Sequence, residues 1–249
     1  MKRIWFVLSV ALLTGNVMVW GQAAPTTAED FFNRGNTYAE RGDFDRAIAD
    51  YTAAIRIKPD HFEALFNRAV AYGNKGDVDR AIADWNAAIR INPNFADALY
   101  NRGNSYYEKG DLDRAITDWT STLRVDPNYV NALVNRAVAY GEKGDLDRAI
   151  TDYTAVLRLR PDHTNALYWR GNLYFDKRDF DRAIADYTAA LRVQPNHTNA
   201  LDNRGAAYAQ KGDLNRAIAD FEAVLRIDPN HAGARRHLEV VRQMQQGSR

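Results

Sequence analysis

Asparagine recurs at one register of a 34-residue spacing, as Asn33, Asn67, Asn101, Asn135 and Asn203, with Trp169 in the remaining place. A carboxamide both donates and accepts, so a row of them can pair with the C=O and N–H groups of an extended peptide. Such a row would hold a chain by its backbone and tolerate many sequences. The same amides could instead bond a neighbouring helix and support the structure; on the sequence both readings stand. Three residues further on, alternate copies carry a second asparagine (Asn36, Asn104 and Asn172), whereas the second and fourth carry Val70 and Val138. That alternation would set the register of a ligand, or it records duplication of a two-copy block. Aromatic rings share the neighbourhood: Phe32, Phe66, Tyr100 and Tyr168 at one register, with Tyr107 and Phe175 one turn further. Together with Trp169 they make the fifth copy the richest in the anchors that binding surfaces favour.

Other chemistry is poorly supplied. Beyond the N-terminal segment the serines are Ser105, Ser121 and Ser248, with no Gly-x-Ser-x-Gly elbow for a nucleophile and no cysteine anywhere. His61, His163, His197 and His231 share a register. Packed helices stand ~8–10 Å apart, however, and ligands of one ion lie within ~2.0–2.3 Å of it. Residues one period apart cannot converge on a metal, so the histidines read as polar junction residues. No metal, no cofactor and no catalysis are expected.

The elements that must position these side chains follow from the repeat itself. It runs six times without insertion over 28–231, with Pro59, Pro93, Pro127, Pro161, Pro195 and Pro229 in phase. Each copy holds two apolar blocks at helical spacing, for example Leu99, Gly103 and Tyr106, then Ala115, Ile116, Trp119 and Leu123. Gly110-Asp111 separates them: the glycine accepts the left-handed conformation that ends a helix, and Asp111 caps the next. Asp113 then lies at the positive end of that helix dipole. Pro127-Asn128 stops the second helix and offers Asn128 as cap of the following one.

These positions resemble the tetratricopeptide repeat, whose pattern appears in the second copy as Leu65, Arg68-Ala69, Tyr72, Ala81, Trp85, Ala88 and Pro93. The resemblance implies an all-α, right-handed α-solenoid of six helix-turn-helix units, closed by a capping helix over 232–246 and a tail over 247–249. It also implies that the first helices line a concave groove for a protein or peptide partner. The asparagine row is similar to the ladder in the repeat domain of the transferase that adds N-acetylglucosamine to proteins. Groove candidates are therefore the eight asparagines at 33, 36, 67, 101, 104, 135, 172 and 203, with Tyr100, Tyr107, Tyr168, Trp169 and Phe175. A clamp for a terminal carboxylate is not expected, because Phe32, Asp97 and Asn101 stand where its cations would be. One departure is systematic: arginine replaces the family's leucine (Arg34, Arg68, Arg102, Arg136, Arg170, Arg204), and aspartate recurs sixteen residues later from Asp50 to Asp220. These pairs are expected to form partly buried, bidentate ion pairs between the two helices of each unit.

Lys2-Arg3, the apolar run from Ile4 and the small residues ending at Ala23-Ala24 read as a secretory signal over 1–23, followed by a short linker over 24–27. An uncleaved anchor is the alternative. The chain is then expected to be exported, to a bacterial periplasm or beyond, with no stable membrane anchor. Without Lys2 and Arg3 it carries 31 basic and 32 acidic residues, spread periodically. Nucleic-acid binding wants a clustered basic excess and is not expected. The reading is a non-catalytic adaptor; a glycan-binding module, and last an enzyme, are its rivals.

Overall fold

The computed structural model describes residues 25–247; the signal expected over 1–23 lies outside them, as do the last two residues of the tail. Among the described residues there are thirteen helices and no strand. Paired in chain order they are α1 (Ala28–Glu40) and α2 (Phe44–Ile57), α3 (Phe62–Asn74) and α4 (Val78–Ile91), α5 (Ala96–Glu108) and α6 (Leu112–Val125). There follow α7 (Val130–Glu142) and α8 (Leu146–Leu159), α9 (Thr164–Asp176) and α10 (Phe180–Val193), α11 (Thr198–Gln210) and α12 (Leu214–Ile227), then α13 (Ala232–Gly247). The chain divides into two compact units, Met1–Ala132 and Leu133–Arg249. Inside each, consecutive helix pairs stack in the manner of an α-solenoid.

The turn within each pair is built as its residues dictate. Gly42, Gly76, Gly110, Gly144 and Gly212 have φ between 76° and 81°, which costs glycine little. In the fifth pair Arg178 takes this place with φ 60°. The aspartate that follows caps the second helix: Asp111 accepts from the Arg114 N–H at 3.0 Å and from its Nε at 2.6 Å. Asp43, Asp77, Asp145, Asp179 and Asp213 repeat the cap.

The turn between pairs is capped differently from expectation. Asn128 lies two residues ahead of α7 and donates its N–H to Asp126 Oδ1 at 2.9 Å, so it belongs to the turn rather than the helix. At the equivalent N-cap, His163 and His197 accept through Nδ1 from the N–H of Ala166 and Ala200, both at 3.2 Å. His231 does the same for Ala234 at 3.1 Å. The histidine register therefore starts helices. His61 differs: its Nδ1 lies 3.0 Å from Glu63 and it makes no cap.

The arginine–aspartate pairs form in all six repeats. Arg102 donates through Nε and Nη2 to the two oxygens of Asp118 at 2.7 and 2.6 Å, and the other five pairs match within 0.1 Å or so. The aspartates are buried, Asp118 to 4% exposure. The third nitrogen reaches back one pair, as from Arg102 to Asn86 Oδ1 at 2.6 Å or Arg170 to Thr154 at 3.0 Å. A planar fork thus ties three helices at once, which a leucine could not do. Arg114 and Arg102 also flank the Tyr106 ring, 4.3 and 6.0 Å from its centroid, an arrangement repeated at Tyr72, Tyr140, Tyr174 and Tyr208.

The capping helix α13 runs one residue beyond the expected 246. Ala234, Leu238 and Val241 join the cluster around Phe221 and Val224, while Arg235, Arg236, Glu239 and Arg242 face water as expected. Leu238 falls at the register of the six arginines.

Candidate functional site

The site is built from a tight approach between helices. The first helix of the first, third, fifth and sixth pairs carries a glycine on which a ring of the second helix lies. A Cβ on Gly35, Gly103 or Gly171 would stand 2.7 Å from Tyr51, Trp119 or Tyr187, and on Gly205 2.9 Å from Phe221. Those rings are essentially fully buried. A buried phenol or indole still needs a partner for its polar tip, and the residue after the glycine supplies it. Tyr51 donates to Asn36 Oδ1 at 2.8 Å, Trp119 to Asn104 Oδ1 at 3.2 Å, and Tyr187 to Asn172 Oδ1 at 2.8 Å. Where the ring is Phe221, with nothing to donate, Ala206 replaces the asparagine. Burial pushes the hydroxyls of Tyr51 and Tyr187 well above the usual phenol range, so they remain donors.

A second amide closes on the first. Asn67 Nδ2 donates to Asn36 Oδ1 at 2.8 Å, and Asn203 Nδ2 to Asn172 Oδ1 at 2.8 Å and to the Tyr168 hydroxyl at 3.3 Å. Both bonds join residues 31 apart. Counting back 31 from Asn101 and Trp169 leads instead to Val70 and Val138, which have no acceptor. In keeping with that, Asn101 is fully buried with neither amide atom bonded. Trp169, at the same register two pairs on, is apolar and 47% exposed.

The other candidates divide between these roles. Asn33 is exposed and reaches only Glu29, at 3.4 Å; Asn135 is half-buried. Tyr100 is buried, 4.9 Å from the Tyr129 ring, and Asn104 is fully buried, so both serve the interior rather than a surface. Tyr107 packs on Trp119 at 5.8 Å and Phe175 on Phe180 at 5.4 Å. Tyr168 lies edge-on to Trp169 at 5.1 Å and tilted to His197 at 5.0 Å. Each unit therefore assembles one amide pair, Asn36 with Asn67 and Asn172 with Asn203, and in the second the exposed Trp169 adjoins it. The residues that sequence reasoning overlooked are Tyr51 and Tyr187. Their signal was present: in the copies that carry the glycine, a polar-tipped ring accompanies asparagine and phenylalanine accompanies alanine, whereas Ala69 and Ala137 precede valine.

Comparison with known proteins agrees with this architecture. One family model described as a tetratricopeptide repeat matches 171–246, and another matches 32–96, 69–130, 100–162 and 134–180. Among solved structures, YrrB, titled a TPR protein with an unusual peptide-binding site, is similar with TM-score 0.68 and 22% identity over 74% of this chain and 95% of that one. MamA gives TM-score 0.64 and 23% identity, over 69% and 93% of the two chains. A tetratricopeptide repeat protein from Parabacteroides merdae gives 0.66 and 20%, over 88% and 86%. At these identities the likeness is one of fold. Among curated proteins none matches by sequence.

Proposed function

The chain belongs to the tetratricopeptide repeat family, and from that premise we propose that it is a non-catalytic adaptor that binds an extended segment of a partner protein along the face of its first helices. The carrying observation is the exposed Trp169 beside the Asn172–Asn203 pair, an apolar seat next to fixed polar groups. That composition is what a peptide site requires: burial on an aromatic supplies affinity, and amides supply main-chain hydrogen bonds. The printed title of YrrB supports the reading by describing a peptide-binding site on the same fold. Repeat stacks suit the task because consecutive helix pairs within a unit present a continuous surface.

The adaptor works outside the cytoplasm in this proposal, with the basic and apolar N-terminus removed after Ala23. N-terminal sequencing of the native protein should then begin at Ala24; material beginning at Met1 would refute it. The peptide function is tested by probing the purified chain on a peptide array and a glycan array in parallel. Binding to peptides that is lost in W169A supports it. Trp169 is also the platform a sugar would use, so glycan binding without peptide binding would replace the proposal by its rival.

A further inference from the structure

First helices meet the second helix of the preceding pair through two constant contacts. Lys75 pairs with Asp45 and Lys109 with Asp79 in one compact unit, Lys177 with Asp147 and Lys211 with Asp181 in the other. Seven residues beyond the acid, Thr52 accepts from Arg68 Nη1 at 2.9 Å and Asn86 from Arg102 Nη1 at 2.6 Å. Thr154 and Thr188 accept likewise from Arg170 and Arg204, at 3.0 and 3.1 Å. That spacing puts the carboxylate and the hydroxyl or amide on one helix face, two turns apart. An aliphatic residue stands three and ten positions after the acid, as Ile82 and Ile89 after Asp79, and at the same offsets in α2, α8 and α10. Ile150, of this stripe in α8, joins the cluster that holds Tyr174 of α9.

The first helix α1 carries the reading half of this contact, and no helix precedes it among the described residues. Arg41 stands at the register of the lysines, exposed, and no described residue pairs with its side chain. Arg34 uses Nε and Nη2 on Asp50, but no described residue takes its Nη1. Its side chain is 43% exposed, against 17–19% for Arg68, Arg102, Arg170 and Arg204. Phe31 is only half-buried at a register where Leu65, Leu99, Leu167 and Leu201 are buried. The other end differs. Its last second helix, α12, offers Asn215 and Glu222, again seven apart, and α13 meets both through Gln245 at 2.7 Å and Arg242 at 2.8 Å.

We propose that the outer face of α1 docks a helix of another protein that carries a carboxylate, an aliphatic residue, a hydroxyl or amide, and a second aliphatic residue at positions i, i+3, i+7 and i+10. The carboxylate meets Arg41, the hydroxyl or amide meets Arg34 Nη1, and the aliphatic residues cover Phe31. Charge complementarity and the chain's own geometry name this occupant, because α2, α4, α8 and α10 each present the same stripe to the helix that follows. Those four stripes are already covered within the chain, so the docking helix comes from elsewhere. The surface is separate from the groove of the first helices, and neither reading depends on the other.

The probe is a fluorescein-labelled peptide of residues 77–92, made with R80K and closed by a lactam from that lysine to Asp84, on the face opposite the stripe. Its anisotropy is titrated with the purified chain beginning at Ala24 and with the full chain. Saturable binding to both is expected, weakened about tenfold when the peptide carries I82A, the scale of a truncated interface anchor. A D79K peptide should bind several-fold more weakly to the wild type and recover on an R41E chain, whose melting temperature should hardly move because Arg41 is exposed. No saturable binding, or no recovery of D79K on R41E, overturns the proposal. Loss of binding in W169A would place the peptide in the groove and overturn it as well. Binding to the chain from Ala24 alone would make the N-terminal segment the occupant. Sedimentation showing a dimer that R41E dissolves would make it a second copy. Either result overturns the assignment to another protein.

Discussion

Arg102→Leu is the substitution that the family's own pattern recommends and that this structure forbids. It removes the Nε and Nη2 donors from Asp118, at 2.7 and 2.6 Å, and the Nη1 bond to Asn86 at 2.6 Å. Asp118 is 4% exposed, so water does not replace them. Breaking one side of a buried pair costs about 3–5 kcal/mol. The new leucine recovers part of this: the Arg102 side chain is only 19% exposed, and burying a leucine there is worth about 1–2 kcal/mol. The expected net loss is about 2–3 kcal/mol, read from the urea midpoint. The sign of its pH dependence is also fixed. Burial already pushes the Asp118 carboxyl up, and the hydrogen bonds from Arg102 pull it back. Without Arg102 the folded-state value rises further. A raised carboxyl costs stability above its unfolded value and nothing once both states are protonated, so the deficit should shrink as pH falls from 7 toward 4. Asp118→Leu added to Arg102→Leu should restore most of the loss, because paired apolar replacements are often neutral or better. A double-mutant cycle with coupling below about 0.5 kcal/mol would refute the reasoning.

Arg178→Gly should stabilise by about 0.5–1 kcal/mol, since a left-handed arginine costs about 1–2 kcal/mol and the glycine's extra unfolded entropy returns part of it; a lower melting temperature would contradict this. Acid should release the second helix of every pair together. The Asp111 carboxyl is held below its ordinary 3.8 by the Arg114 N–H and guanidinium, and Asp43, Asp77, Asp145, Asp179 and Asp213 are lowered likewise. A lowered carboxyl contributes stability that is complete above 3.8 and lost as pH falls through the folded value. Circular dichroism at low salt should show helix loss below pH 3.8, and Asp111→Asn, a cap that does not titrate, should lessen it.

Much of the fold was legible because the repeat removes ambiguity: Gly110-Asp111 can only be a turn and a cap when it recurs in phase. The arginine–aspartate pairs were legible for the same reason, two complementary charges at a constant offset. Asn128 misled because a good cap residue two positions early is indistinguishable in sequence from one in place; His163 and His197 take the cap through a ring nitrogen that propensity does not flag. The alternation of Asn36, Val70 and Asn104 was visible but not its cause. That cause lies in a ring lying on a glycine fifteen or sixteen residues away, which no pattern of apolar residues along one helix reveals. Nor could sequence tell a fully buried asparagine, such as Asn104, from a half-buried one, such as Asn172.

The arginine–aspartate register bears on how such an array lengthens. At this register an arginine obliges a following helix to bring an aspartate, and an aspartate obliges an arginine before it. Each duplicated copy therefore carries both halves of its own debt, and the array can lengthen without leaving a charge stranded. Leu238, uncharged at the same register of α13, makes no such demand.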